Sequence, residues 1–334
     1  MRPRSARPVL VTGATGFVGR ALVPALRRAG VAVRATSRRP PPAPRHGRGG
    51  GAVEWVAADL GRAADLARAL DGVGAAFFLV HGMASGAEDY AEEERRSAAA
   101  FAREAERAGV ERIVYLGGVA PRGRPSRHLA SRLAVGEVLV GGRVPALELR
   151  ASMVVGAGSA SWRVVRDLAL RLPAMVLPSW AESRTSPVAI DDVVAALAAA
   201  LDLPLRAGLS LDLPGPEVLA VRELLERVAA LRGRALPWIR APLPAPSVSS
   251  LWLKLVSGAE WNVVRELVLG LEHDLLPRDG ASFWDRVAPR ALVPFDEAAR
   301  RALAGDRATP GLRGALGALE ESIVQWLGPR PRRA

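Results

Sequence analysis

Two groups of residues have types and spacings that could do chemistry. Gly13-x-x-Gly16-x-x-Gly19 follows the apolar run Val9-Leu10-Val11, and Phe17, Ala21, Leu22, Ala25 and Leu26 then recur at helical spacing. That order means strand, tight turn, helix. Glycines there let the backbone turn sharply and approach a pyrophosphate, whose charge rests on the free N–H groups of the helix N-terminus. Farther along, His128-x-x-x-Arg132 sets an imidazole and a guanidinium one helical turn apart on one face. Free imidazole titrates near neutrality, whereas a guanidinium stays charged.

Other chemistries are narrowed by composition. The 334 residues contain no cysteine, which excludes disulfides, thiolate metal sites and cysteine nucleophiles. His46, His81, His128 and His273 are the only imidazoles, no two are spaced as a metal pair, and no metal site is expected. The formal net charge is +12, yet Lys254 is the only lysine and the arginines are scattered without interleaved aromatics. Solvated helix faces account for that pattern better than a nucleic-acid stripe, so no specific nucleic-acid partner is expected. A small-molecule substrate is. No apolar run approaches the ~20 residues of a membrane span, and no signal-type apolar region precedes the first strand. A cytoplasmic protein without a transmembrane segment is expected, its oligomeric state left open.

The elements that must position these residues alternate. Strands are expected at 31–36, 53–58, 75–80, 112–116 and 146–151, with helices at 63–70, about 88–108 and 127–140. Apolar strands alternating with helices argue an α/β, Rossmann-type doubly wound parallel sheet covered on both faces. Residues 1–150 would be the NAD(P)-binding Rossmann domain. Residues 151–334 would form a smaller, mostly helical substrate-side region interwoven with it; seven of the eight tryptophans lie there. A helix is expected at 247–256, and 40–51 is a Pro/Gly/Arg loop.

The chain resembles the short-chain dehydrogenase/reductase superfamily in its extended and atypical branches. Thr12-Gly13-x-x-Gly16-x-x-Gly19, Val56-x-x-Asp59-Leu60, the strand 110–116 and Pro187-Val188-Ala189-Ile190-Asp191-Asp192-Val193 carry the likeness. A narrower resemblance is to NAD(P)H-binding, NmrA-like bacterial proteins, through Phe78-Leu79-Val80-His81-Gly82-Met83, Tyr115-Leu116-Gly117-Gly118, His128-Leu129-x-Ser131-Arg132 and Gly156-x-Gly158-Ser159-Ala160-Ser161. It implies cofactor contacts from Thr12, Gly13, Thr15, Gly16, Phe17, Val18 and Gly19, from Asp59 and Leu60 beside the adenine, and from Val80 and Arg132.

The second strand ends in Thr36-Ser37-Arg38-Arg39, without the acid that binds a ribose 2′-hydroxyl in NAD sites. Arg38 and then Arg39 offer forks for a 2′-phosphate, which favours NADP over NAD. The superfamily's Ser and Tyr-x-x-x-Lys are absent: Gly117-Gly118 occupies the serine position, and neither Tyr90 nor Tyr115 is followed by a lysine. Two readings stand. His128 is the proton donor and Arg132 the ribose clamp, with His81 at the fourth strand's end as a weaker candidate, or catalysis is lost. Trp162 and Trp180 would wall an apolar substrate site, and Arg184 would meet a polar group. The leading expectation is an NADP(H)-dependent oxidoreductase for a small, fairly apolar carbonyl or quinone-like compound. The alternative is a non-catalytic dinucleotide sensor or assembly protein.

Overall fold

The computed structural model describes residues 7–40, 53–80, 90–171, 175–176, 179–239, 273–278 and 280–307. The first half runs β1 (Val9–Val11), α1 (Phe17–Arg28), β2 (Val33–Ser37), β3 (Glu54–Ala57), α2 (Ala63–Leu70), β4 (Ala75–Phe78), α3 (Tyr90–Arg107), β5 (Arg112–Gly118), α4 (Arg127–Val140) and β6 (Ala146–Ala151). The second half continues with β7 (Met153–Val155), α5 (Ala160–Arg171), β8 (Met175–Val176), β9 (Arg184–Thr185), β10 (Pro187–Ala189) and α6 (Ile190–Ala200). Then come β11 (Leu209–Asp212), β12 (Leu219–Ala220), α7 (Val221–Ala230), β13 (Trp238–Ile239) and α8 (Phe295–Arg307). The helix expected at 247–256 and most of the 40–51 loop lie outside the described residues.

Seven strands form one parallel sheet in the order β11-β6-β5-β4-β1-β2-β3. The strand period of two sorts its side chains between two layers. Val9, Val11, Phe77, Val114, Leu147 and Leu149 pack with Leu22 and Leu26 of α1 and Val193 and Leu197 of α6. Leu10, Phe78, Ile113 and Tyr115 pack with Leu66 of α2, Phe101 of α3 and Leu139 of α4. A third cluster joins Trp162 and Leu168 of α5 to Leu224 and Val228 of α7 and Leu303 of α8. The alternation legible in the sequence is thus the observed Rossmann-type architecture. Strands β8, β9, β12 and β13 have two residues each, too short to leave a periodic signal.

Many arginines hold this framework together from inside. The last carbonyls of a helix have no intrahelical partner and carry partial negative charge. Arg7 donates to Val73 O (2.5 Å), Gly109 O (3.0 Å) and Ala108 O (3.4 Å), tying the chain ends that follow α2 and α3. Arg34 donates to Ala69 O (3.2 Å) and Asp71 O (2.5 Å) at the end of α2. Arg112 donates to Ala200 O at the end of α6, and Arg234 to Leu170 O at the end of α5.

The segment after residue 272 closes the core. Phe283 is fully buried in the α1–α6 layer. Asp212 N–H donates to Ala281 O (2.7 Å), and the Trp284 indole N–H to Pro214 O (2.8 Å). We therefore expect Phe283→Ala to lower unfolding free energy by about 3–5 kcal/mol, the range for large aromatic truncations in a core. Urea denaturation checks this; a loss within experimental error would mean the segment is not part of the cooperative unit.

Candidate dinucleotide and active site

The order of the sheet reverses between β1 and β4, each the first strand of its half, and ligands of such sheets bind in the crevice beyond the carboxyl ends of these strands. Thr12 builds that crevice. Its N–H and its hydroxyl both donate to Phe77 O at 3.0 Å, and the hydroxyl oxygen accepts Leu79 N–H at 3.0 Å. The residue is fully buried, so the cofactor contact expected of it gives way to a clip between strand ends.

Gly13 follows with φ +63°, the left-handed region. A Cβ there would stand 2.6 Å from Leu79 O and 3.5 Å from Val80 Cγ2. A Cβ at Gly19 would collide with Gly13 O and stand 2.7 Å from Ala14 Cα. Gly16 is the N-cap of α1, with no side-chain cap and no acid in the helix's first turn. The first N–H groups of α1 are thus not taken by a side-chain cap, as a pyrophosphate site needs. The residues present fit the phosphates of a dinucleotide.

Phe17 and Val18 open α1 with half-buried side chains. The Phe17 ring rests against the Gly156–Gly158 turn, where a Cβ on Gly156 would be 2.9 Å from Phe17 Cζ, and Val18 packs on the α1–α6 core. At the end of β2, Thr15 and Ser37 hydroxyls lie 3.5 Å apart, and Ser37 Oγ accepts Arg39 N–H at 3.2 Å. Arg38 and Arg39 are exposed there. Asp59, also exposed, accepts Gly61 N–H through Oδ1 (3.0 Å) and donates its own N–H to Asp65 Oδ2 (2.9 Å). That N–H, the largest influence, holds the Asp65 carboxyl below its ordinary value. Leu60 packs in the α2–α4 layer. His81 lies outside the described residues.

Helix α4 begins at Ser126, whose hydroxyl accepts Leu129 N–H at 3.4 Å, a normal N-cap. It brings Arg132 to the end of β5, where Nη2 donates to Leu116 O (2.6 Å). A side chain at Gly118 would need Leu129 to move, because a Cβ would stand 2.6 Å from Leu129 Cδ1. At Gly117 it would meet the Glu148 carboxylate. Tyr115 donates its hydroxyl to Arg132 O (3.1 Å), and burial pushes its phenol above the ordinary value, so it is no substitute for the tyrosine acid that the resemblance leads one to expect.

His128 corrects an expectation. It is buried, and that burial, with the neighbouring Arg132 charge second, lowers its pKa to about 3. The imidazole is neutral at physiological pH and does not titrate there. The substrate-side expectations also change. Trp162 is fully buried in the core and its indole N–H donates to Asp306 Oδ2 (3.0 Å), so it cannot wall a pocket. Arg184 is spent on Asp274, through Nε (3.1 Å) and Nη2 (2.7 Å). Trp180 falls in the short helical turn Ser179–Glu182. Sequence reasoning passed over Glu148; its signal is a lone acid inside the apolar strand 146–149.

The depressed value makes a stability prediction. A native pKa of about 3 against an ordinary 6.5 means the unfolded chain takes up a proton that the folded one refuses. The associated stability is fully present above pH 6.5 and is lost as pH falls toward 3. Denaturant titrations should show wild type losing stability relative to His128→Gln across that window, by about a few kcal/mol at its acid end. Parallel curves for the two proteins would contradict it.

Residues 13–165 match the model of a family described as NAD(P)H-binding. No curated protein matches the sequence. Among solved structures, the triphenylmethane reductase of Citrobacter sp. superposes with TM-score 0.69 at 17% identity, over 89% of this chain and 99% of that one. An NAD-dependent NDP-hexosamine 5,6-dehydratase of tunicamycin biosynthesis gives 0.65 at 18%, over 91% and 99%. A short-chain dehydrogenase/reductase superfamily protein from Agrobacterium tumefaciens with bound NAD gives 0.55 at 22%, over 78% and 96%. Residues 13–165 thus resemble an NAD(P)H-binding family, and the chain has a Rossmann-type fold shared with these structures.

Proposed function

We propose that this protein is an NADP(H)-dependent oxidoreductase acting on a small, fairly apolar carbonyl or quinone-like compound. The observation that carries the cofactor choice is the end of β2: exposed Arg38 and Arg39 beside the Thr15 and Ser37 hydroxyls, with no acid between residues 34 and 39. A 2′-phosphate needs forked cationic donors, whereas a free 2′-hydroxyl is held best by a carboxylate.

When bound, the nicotinamide supplies or accepts a hydride. Arg132, held on Leu116 O, contributes a permanent positive charge beside the end of β5. It stabilises negative charge on a substrate oxygen but gives up no proton. His128, kept neutral, serves as a hydrogen-bonding group. These properties favour the quinone-like class. Reduction of a quinone leaves a delocalised anion that positive potential can hold until water protonates it, whereas a localised alkoxide calls for a nearby acid.

The same buried His128 and the committed Tyr115 hydroxyl also favour a second reading, a dinucleotide-responsive sensor or assembly protein without turnover. Oxidation of NADPH against a panel of carbonyls and quinones separates the two. For the cofactor, calorimetry should find NADPH bound more tightly than NADH, and Arg38→Ala should cut that preference by roughly tenfold or more, the loss of a charge-assisted contact. Equal affinities in the unmodified protein would overturn the NADP assignment.

A further inference from the structure

Glu148 is a fully buried carboxylate in the middle of β6. Its neighbours Leu147 and Leu149 face the α1–α6 layer, so Glu148 faces the opposite one, under α4. One oxygen is satisfied: Oε2 accepts from Arg150 Nε (2.9 Å) and from the Ser210 hydroxyl (2.7 Å). The other, Oε1, has no hydrogen-bond partner among the described residues. An unpaired buried carboxylate oxygen is costly and calls for a reason.

Its surroundings supply one. Oε1 lies where the side chains of residues 117 and 136 would otherwise be: a Cβ on Gly117 of β5 or on Gly136 of α4 would collide with it. The Gly136 Cβ position is also 2.5 Å from Glu148 Cδ. Glycine at both positions lets the carboxylate fill a notch between strand and helix. Beside it in register on β5 is Tyr115, whose hydroxyl donates to Arg132 O. Helix α4 therefore rests on two polar contacts, the Tyr115 hydroxyl under residue 132 and the Glu148 carboxylate under residue 136. Residues 128, 132 and 136 follow one another at four-residue spacing along one face of the helix.

We propose that Glu148 is a positioning residue: its carboxylate, seated between Gly117 and Gly136, fixes the height and rotation of α4 over β5 and so sets where Arg132 and His128 stand against the nicotinamide half of the cofactor. A purely apolar contact at this place would let the helix slide or turn. A carboxylate anchored through Arg150 and Ser210 does not move with it.

The inference rests on the NADP(H) reading, and the test separates the two. NADPH and adenosine 2′,5′-bisphosphate, which lacks the nicotinamide half, are titrated against the whole protein. Gly136→Ala should weaken NADPH roughly tenfold, the loss of about one charge-assisted contact, and leave the bisphosphate within twofold. Glu148→Asp, one methylene shorter, should restore most of the NADPH affinity when combined with Gly136→Ala. Glu148→Gln keeps the shape of the key and should bind both ligands nearly as wild type does, which gives a reading even where Gly136→Ala folds poorly. Unchanged NADPH affinity in Gly136→Ala, or equal weakening of both ligands without recovery in the double variant, overturns the positioning role. A wild-type protein that binds neither ligand overturns the NADP(H) reading instead.

Discussion

The approach of Gly13 to the Leu79 carbonyl is the constraint on which the crevice depends. Adjacent parallel strands run side by side only until their chains leave in different directions, β1 into α1 and β4 toward α3. Thr12 holds the two ends together up to that point by donating to Phe77 O and accepting from Leu79 N–H. Directly beyond, the backbone must turn with φ +63° against a carbonyl 2.6 Å from where a Cβ would be. Only glycine combines that conformation with that proximity. The turn then delivers the N-terminus of α1 to the crevice mouth, and everything proposed for the pyrophosphate follows from it.

Charge is the second organising constraint. A formal +12 suggests a strongly positive surface, but part of it is internal bookkeeping. Arg7, Arg34, Arg112 and Arg234 end on carbonyls at or just past helix C-termini, where the macrodipole places negative potential. Others are paired: Arg166 bridges Asp167 and Asp306 at 2.7 Å, and Arg227 bridges Glu217 and Asp296 at 2.8 Å. With one lysine in the chain, guanidinium groups do the capping that glycine or lysine does elsewhere. The +12 already subtracts every carboxylate, so these contacts decide where the positive charge lies, and among the described residues no ion pair joins the exposed Arg38 and Arg39 to a carboxylate.

The sheet was legible because periodicity is a property of each segment alone. Helices 63–70 and 127–140 and strand 146–151 occupy the residues their patterns indicate. The glycine turn was legible for the same reason, since its conformation is local. Roles that depend on distant contacts were not. Thr12 reads as part of a cofactor fingerprint, yet its partners are 65 and 67 residues away. Trp162 reads as a pocket wall, yet its indole meets Asp306, 144 residues on. Arg184 reads as a ligand contact, yet Asp274, 90 residues on, holds it. No spacing in the sequence marks these pairs.

His128 and Arg132 show why spacing and chemistry part company. A cation beside a tyrosine lowers a phenol from about 10 toward neutrality and makes it a better acid at working pH. The same cation beside an imidazole starts from about 6.5 and drives it away from neutrality, and burial acts in the same direction. So burial first, and then the Arg132 charge that the helical spacing places beside it, disable the histidine as an acid, as the lowered value of about 3 reflects. Replacing a Tyr–Lys pair by His–Arg at one helix face is therefore not a conservative exchange. Under the proposed function, such a pair offers positive potential and hydrogen bonds rather than a proton, and it suits substrates whose reduced form can wait for its proton.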